Sequence, residues 1–424
     1  MASLELVKLA SLLPAITDEK VSWPSTDGHS ATPVPLLFWS DGTPWREANL
    51  WIAQKAVGTK FATLNSLMSH LLAFAKWLER TGVTWCHFPA LESERCLYRF
   101  RGALKTALDY GEISPHTASN RMRAIVQFYS WVSMVGLLSP DWPMWKERSL
   151  GIRLPDKFGF ERTLMTRTTN LAISSKRAVG EKLEDGLYPV TKSTEREILR
   201  FVKKNGSIEL FHILSIGFRT GMRLGTIADL KVASLQRATA DPLMAGFFRV
   251  QVGPQAHPPV ATKNGVNGAI RIHEEDRDAL LSYAASSRRL KRQARTALKD
   301  RNLVFLTVAG RPYAGTDQNN YRAVEMELSR LRRLALQLGN GCLVDFRFHR
   351  SRASFGSNVA RLLLSRLPTD SALQLLQELM LHSEIATTLM YVKFAERSIA
   401  LEDASDAFTK EFLKLADRNE QHDP

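Results

Sequence analysis

Apolar side chains recur at helical spacing through most of the chain and alternate in only a few short stretches. In FATLNSLMSHLLAFAKWLERTG, Leu64, Leu67, Leu71, Phe74 and Leu78 share one face, which predicts an amphipathic helix that Gly82 stops. A second helix fits CLYRFRGALKTALDY. A third fits HTASNRMRAIVQFYSWVSMVG, with Met122, Ile125, Val126, Tyr129 and Val132 inward and Gly136 at its end. Further along, the spacing predicts helices at 194–203, 208–220, 224–230, 274–297, 317–338, 349–364, 371–380, 384–392 and 398–415. Between them, LMAGFFRVQVGPQ and NGAIRIHE read as two strands, with Lys263-Asn264-Gly265 in or beside their turn. The expected class is mainly α with a small β-sheet.

Breaks in this pattern suggest the domains. Residues 1–44 hold Pro14, Pro24, Pro33, Pro35 and Pro44 among Ser, Thr, Gly and Asp clusters. They read as an irregular N-terminal extension with one short helix near 3–13. Residues 45–150 form a helical domain. Residues 151–190 are charge-rich and broken by Pro and Gly, and a loop of that length inside a compact domain is uncommon, so a linker is expected there. A last domain, 191–424, opens on TKSTEREILRFV, where Thr194 and Glu197 have the spacing of a capping box.

Composition narrows the partner. With 57 Lys and Arg against 43 Asp and Glu, the 424-residue chain carries a formal charge of +14. That surplus favours a polyanion, either nucleic acid or an anionic membrane. No apolar run reaches transmembrane length, and the N-terminus lacks the basic start and long apolar core of a signal peptide, so no membrane partner is expected. Cys86, Cys96 and Cys342 are too few and too scattered for a disulfide framework or a zinc ribbon, which points to a reducing, cytoplasmic location.

The C-terminal half carries the chemistry. HRSRASFGSNVA is followed by LQELMLHSEIATTLMYVKF, placing His349 three residues before Arg352 and His382 nine before Tyr391. Upstream lie FRTGMRLGTIADLKVASL, with Arg223, and ATKNG, with Lys263. These four segments, in this order, resemble the tyrosine recombinase (phage integrase) family. The helical 45–150 domain, with its WREANL start and NRMRAIVQFYSWV helix, resembles that family's core-binding domain. The resemblance implies a catalytic set of Arg223, Lys263, His349, Arg352, His382 and Tyr391, double-stranded DNA as the partner, and a nucleoid-associated setting. It also implies a homo-oligomer, a tetramer on DNA, with accessory DNA-bending or element-encoded proteins as further partners.

The residue types suit that chemistry. Attack on a phosphodiester builds a second negative charge at phosphorus, and two guanidiniums, Arg223 and Arg352, can offer paired donors to the nonbridging oxygens. Preorganised charge of this kind is usually the largest catalytic contribution. Tyr391 is the expected nucleophile, since a phenol with a reference pKa near ~10 attacks at neutral pH only in a positive neighbourhood. His349 is a candidate base or phosphate donor, His382 a second phosphate donor, and Lys263 the general acid at the departing 5′ oxygen. Lys231 is an alternative lysine. The resemblance implies a 3′-phosphotyrosyl intermediate resealed by the hydroxyl of a second strand. The bond energy stays in the covalent link, so no cofactor, ATP or metal is implied.

Three positions depart from the family pattern. Thr226 stands where an acidic residue is usual, with Asp229 as a possible compensation one helical turn on. Ala353-Ser354 stand for His-Thr after Arg352, and Leu381 stands for the glycine before His382. Arg121 and Arg123, together with Arg288, Arg289, Lys291, Arg292 and Arg295, are candidate phosphate contacts, a solvated helix face being the alternative for the second group. Leu401, Ala404, Phe408, Phe412 and Leu415 recur about once per helical turn, a stripe that packs on its own domain or on a neighbouring protomer. Two rival functions remain at this point: a DNA-binding module of the same fold without catalysis, and a tyrosine topoisomerase or telomere resolvase.

Overall fold

The computed structural model describes residues 1–9, 15–17, 20–22, 32–155, 161–174, 183–314 and 321–420. It divides into two compact units, Met1–Lys176 and Arg177–Pro424.

In the first unit, strand β1 (Ser3–Leu9) stands where a helix was expected. Two short strands follow, β2 (Ala15–Thr17) and β3 (Lys20–Ser22), and then β4 (Thr32–Phe38) pairs antiparallel with β1. A short apolar run does not distinguish helix from strand by periodicity, and here a partner more than 20 residues away decides it. The four α-helices among the described residues are α1 (Arg46–Ala56), α2 (Phe61–Thr81), α3 (Cys96–Asp109) and α4 (Pro115–Met134). Leu64, Leu71, Phe74 and Leu78 of α2 are buried, as are Met122, Ile125, Tyr129 and Val132 of α4; Leu67 and Val126 are half-buried beside them. Ala2, Val34 and Leu37 join this same core. The Asn49 side chain imitates a neighbouring strand, accepting from Leu37 N (2.7 Å) and donating to Leu37 O (3.0 Å). Residues 1–9 and 32–44 are therefore built into the helical unit rather than appended to it.

The expected 151–190 linker is not one element. Strands β5 (Glu147–Pro155) and β6 (Glu161–Thr169) form an antiparallel hairpin, and the first unit extends through it. Residues 183–190 belong to the second unit.

That unit begins with α5 (Lys192–Asn205), capped by Thr191, whose hydroxyl accepts from Thr194 N. The helix thus starts one turn before the expected capping box, and Glu197 instead accepts from the Asn340 side chain. Next come α6 (Ile208–Thr220), α7 (Leu224–Ala228) and α8 (Val232–Gln236). Strands β7 (Thr239–Ala240), β8 (Phe247–Val252) and β9 (Gly268–His273) make a three-stranded antiparallel sheet in that order. The expected 274–297 helix is two, α9 (Glu274–Ala285) and α10 (Ser287–Gln293), with Ser286 capping the second. Then follow α11 (Arg322–Gln337), α12 (His349–Leu364) and α13 (Thr369–Met380). Helix α14 (Ile385–Glu420) runs through both helices expected at 384–392 and 398–415. Helix α6 is buried almost all round and forms the axis of the main core, while α12, α13 and α14 enclose a second cluster around Tyr391. No helix among the described residues is long and apolar enough to cross a membrane.

Candidate active site

Five of the six expected catalytic residues lie on elements that α6 and the second cluster hold together. Arg223 is the residue immediately before α7, turned there by Gly221, whose φ of +65 ends α6. His349 and Arg352 occupy the first turn of α12, three apart and so on one face. His382 follows α13, and Tyr391 lies in the second turn of α14.

Arg352 is buried, with Nη1 donating to Gly221 O (2.6 Å) and Nη2 to Met380 O (2.9 Å). These two bonds tie the end of α6 to the end of α13. Burial pulls its pKa below the ordinary arginine value, against the opposing pull of Glu184. Its Nε lies 3.8 Å from a Glu184 carboxylate oxygen.

Glu184 is the residue that the sequence did not disclose. Its carboxylate meets Nε2 of His382 at 2.8 Å, Nε2 of His349 at 3.1 Å, Nη2 of Arg223 at 3.7 Å and Nε of Arg352 at 3.8 Å. Burial alone would raise its pKa. The hydrogen bonds from His349 and His382, with the charge of Arg352, overcome that and hold it well below the carboxylate range. The only local signal is an acid in a turn between two leucines, Leu183-Glu184-Asp185-Gly186-Leu187, with Gly186 at φ +71.

His382 is pulled below the ordinary histidine value, first by its burial, with Glu184 opposing. Its Nδ1 lies 2.9 Å from the hydroxyl of the fully buried Thr388. A neutral ring that gives its Nε2 proton to Glu184 accepts at Nδ1 from that hydroxyl. The residue before it, Leu381, takes φ +50, ψ +51, the left-handed helix-ending conformation that glycine adopts freely. A branched side chain held there costs about 1 kcal/mol, and the surrounding packing has to over-determine it. Gly268 on β9 leaves the space that the Leu381 side chain fills.

Tyr391 is fully buried in the second cluster. Its ring centroid is 5.6 Å from that of His382, and it interacts electrostatically with Arg352. Lys263 stands in a tight turn between β8 and β9, with Asn264 left-handed at φ +60. Its side chain is exposed and lines, with Glu184, Arg223 and His382, a cavity of about 270 Å³. Thr226 is buried beside Arg223 and Arg352, so the usual acidic position carries no charge. Asp229 does not reach the arginines. It pairs with Lys231 at 2.5 Å and accepts from Ala261 N at 2.6 Å, which ties down the segment leading to Lys263.

Part of the expected basic cluster is turned inward. Arg289 is buried and donates to Arg301 O and Leu303 O, both at 2.7 Å; Arg292 is buried and donates to Leu306 O at 2.6 Å. Arg288 and Arg292 also pair with the fully buried Glu209, at 2.8 and 3.0 Å. These side chains satisfy carbonyls and a buried acid, so Arg289 and Arg292 are not available to DNA phosphates. Lys291 and Arg295 are exposed. In the first unit Arg121 is half-buried, while Arg123 is exposed and lines a groove of about 1080 Å³ with Lys55, Arg101 and Arg148. Of the C-terminal stripe, Leu401 and Ala404 are exposed; the side chains of Phe408, Phe412 and Leu415 lie outside the described residues.

No protein-family model matches the chain, and no curated protein does. Solved structures resemble it in fold. The integrase of the transposon Tn1549, in complex with circular intermediate DNA, is 15% identical, with 82% of this chain and 93% of that one covered and a TM-score of 0.47. A lambda integrase dimer bound to a COC' core site is 14% identical over 82% of this chain and 77% of that one, with a TM-score of 0.48. The XerA recombinase is 14% identical over 84% and 96%, with a TM-score of 0.33. With every one of these scores below one half, the chemistry assigned to the chain rests on its own side chains.

Proposed function

We propose that the chain is a tyrosine recombinase, a DNA strand transferase that cuts and rejoins DNA through Tyr391. The observation that carries this is the convergence of four donors on one carboxylate. Arg223, His349, Arg352 and His382 come from three separate stretches of sequence and all lie within 3.8 Å of the oxygens of Glu184. A seat that holds one compact anion in this way suits a nonbridging phosphate oxygen pair.

In the proposed reaction the Tyr391 oxygen attacks the phosphorus while the arginines and His382 take up the developing charge. His349 takes the phenolic proton. The bond to the 5′ oxygen breaks, and Lys263, on its tight turn at the rim of the cavity, gives that oxygen a proton. A 3′-phosphotyrosyl link and a free 5′-hydroxyl result. Attack by the hydroxyl of a second strand reverses these steps and joins new partners. Exchange between two duplexes requires several protomers, and the exposed Leu401 on the long helix α14 offers a surface for a neighbour. The exposed Arg123 of the first unit and Lys291 and Arg295 of the second are the basic side chains proposed to meet the DNA backbone.

The test is trapping on a nicked duplex that loses its 5′ fragment after cutting. Since the target sequence is not given by the chain, duplexes with randomised arms are first selected for binding. The wild type is expected to form a denaturant-resistant 3′-linked adduct, and Tyr391→Phe none. Binding by both proteins with no adduct from either would move the non-catalytic DNA-binding module ahead. An adduct accompanied by relaxed plasmid without recombinants would favour a topoisomerase, and hairpin ends a telomere resolvase.

A further inference from the structure

We infer that the Glu184 carboxylate is an internal stand-in for the DNA phosphate, which a phosphodiester must displace before Tyr391 can act. This rests on the reading that the Arg223–His349–Arg352–His382 seat holds the scissile phosphate.

The carboxylate lies on the same donor faces that a phosphate would use, so the two occupants compete. His382 has one nitrogen on the buried Thr388 hydroxyl, so Nε2 is what it offers to the seat, and Glu184 is already on it at 2.8 Å. Arg352 is fixed by one N–H of each terminal nitrogen, on Gly221 O and Met380 O, and in that pose its Nε edge faces Glu184. His349 likewise presents Nε2 to the same carboxylate. A residue that merely oriented these rings would hold them from behind, by the nitrogen the substrate does not use. Glu184 holds them from the front. A phosphate added beside a retained carboxylate would also place two anions in one buried site, which is strongly unfavourable.

The means of release are local. Glu184 sits in a small closed turn, with Gly186 N donating to Leu183 O (2.9 Å) and Leu183 N to Leu187 O (3.1 Å). The turn is held by Leu183, which packs in the same cluster as Tyr391; beyond it Tyr188 O accepts from Arg350 Nε (3.0 Å) and Val190 N donates to the Ser354 hydroxyl (2.8 Å). Withdrawing Leu183 therefore frees the acid and uncovers the tyrosine cluster together.

The test uses the full chain with Glu184→Gln, which keeps the shape and removes the charge, and Leu183→Ala, which loosens the turn and keeps the charge. If the carboxylate fills the seat about nine-tenths of the time, removing it raises apparent affinity about tenfold, because affinity scales with the open fraction. In a Tyr391→Phe background, E184Q is expected to bind the selected duplex about that much more tightly, with L183A moving the same way by less. Inorganic phosphate should raise the melting temperature of E184Q more than that of the wild type. With Tyr391 present, E184Q should form adduct faster at subsaturating DNA. A slower adduct rate with unchanged affinity would overturn the inference and make Glu184 a positioning residue. If no protein forms an adduct but E184Q still gains duplex and phosphate affinity, strand transfer fails and the stand-in role survives.

Discussion

The ring of Tyr391 rests directly on Gly356 of α12: a β-carbon there would lie 2.6 Å from ring carbon Cδ1 and 2.7 Å from Met380 Sδ. The absence of a side chain at one position of α12 thus sets where the expected nucleophile lies relative to Arg352, one turn earlier on the same helix. A glycine inside a helix costs about 1 kcal/mol against alanine, and here that cost is offset by the fit of the ring.

Gly356→Ala is expected to push the Tyr391 ring out of register. Overpacking of this kind destabilises by about 1–3 kcal/mol. Adduct formation should fall at least ~10-fold, while duplex binding, which depends on other side chains, stays within about twofold. A melting curve, an adduct time course and a gel shift on the same preparation separate these effects.

Arg352→Ala should cost more than chemistry. It leaves Gly221 O and Met380 O without their donors, each buried acceptor costing about 1–3 kcal/mol. The loss in adduct rate is expected at about 10²–10³-fold, the scale of one removed transition-state donor. Arg223→Ala, whose side chain is part-exposed and has no such carbonyl bonds among the described residues, should lose comparable rate with little loss of melting temperature.

The pH dependence of stability has a definite sign at Glu184. Its folded pKa is held below the ordinary 4.5, so its stabilisation is present above that value and is lost as pH falls through and below it. The melting-temperature gap between wild type and E184Q should therefore be widest near neutrality and close progressively below about pH 4.5. A gap independent of pH down to 3 would remove the charged-carboxylate account.

Lys263 and Asp229 should fail in a related way. Lys263→Ala is expected to slow cutting of an ordinary duplex and to be rescued when sulfur replaces the departing 5′ oxygen, because a thiolate, with a pKa near ~8.5, leaves without a proton. Asp229→Asn, which loosens the bond to Ala261 N, should show a partial form of the same defect and the same rescue. Arg352→Ala should not be rescued by sulfur.

Much of this was legible along the chain, and what was not has physical reasons. The helices of the second unit follow the apolar spacing closely, with 208–220 and 349–364 matching α6 and α12 end to end. His349 and Arg352 share a helical face by spacing alone. Glu184 carries no periodic signal because its partners lie up to about 200 residues away, and one acid among others in a polar stretch does not stand out. Arg289 and Arg292 misled for the converse reason: charged side chains on a short helix read as solvated, and only the tertiary fold brings carbonyls and Glu209 to meet them. Leu381 showed in the sequence as a missing glycine, but its left-handed backbone and the space given by Gly268 are properties of the assembled chain.

The inward-turned arginines bear on how the chain would respond to ionic strength. Each lysine or arginine that neutralises a DNA phosphate releases condensed counterions, and the steepness of affinity against salt counts those contacts. Arg289 and Arg292 are locked to carbonyls inside the protein and release none. The formal +14 therefore overstates the charge that reaches the duplex, and the salt slope should be shallower than the number of basic residues suggests.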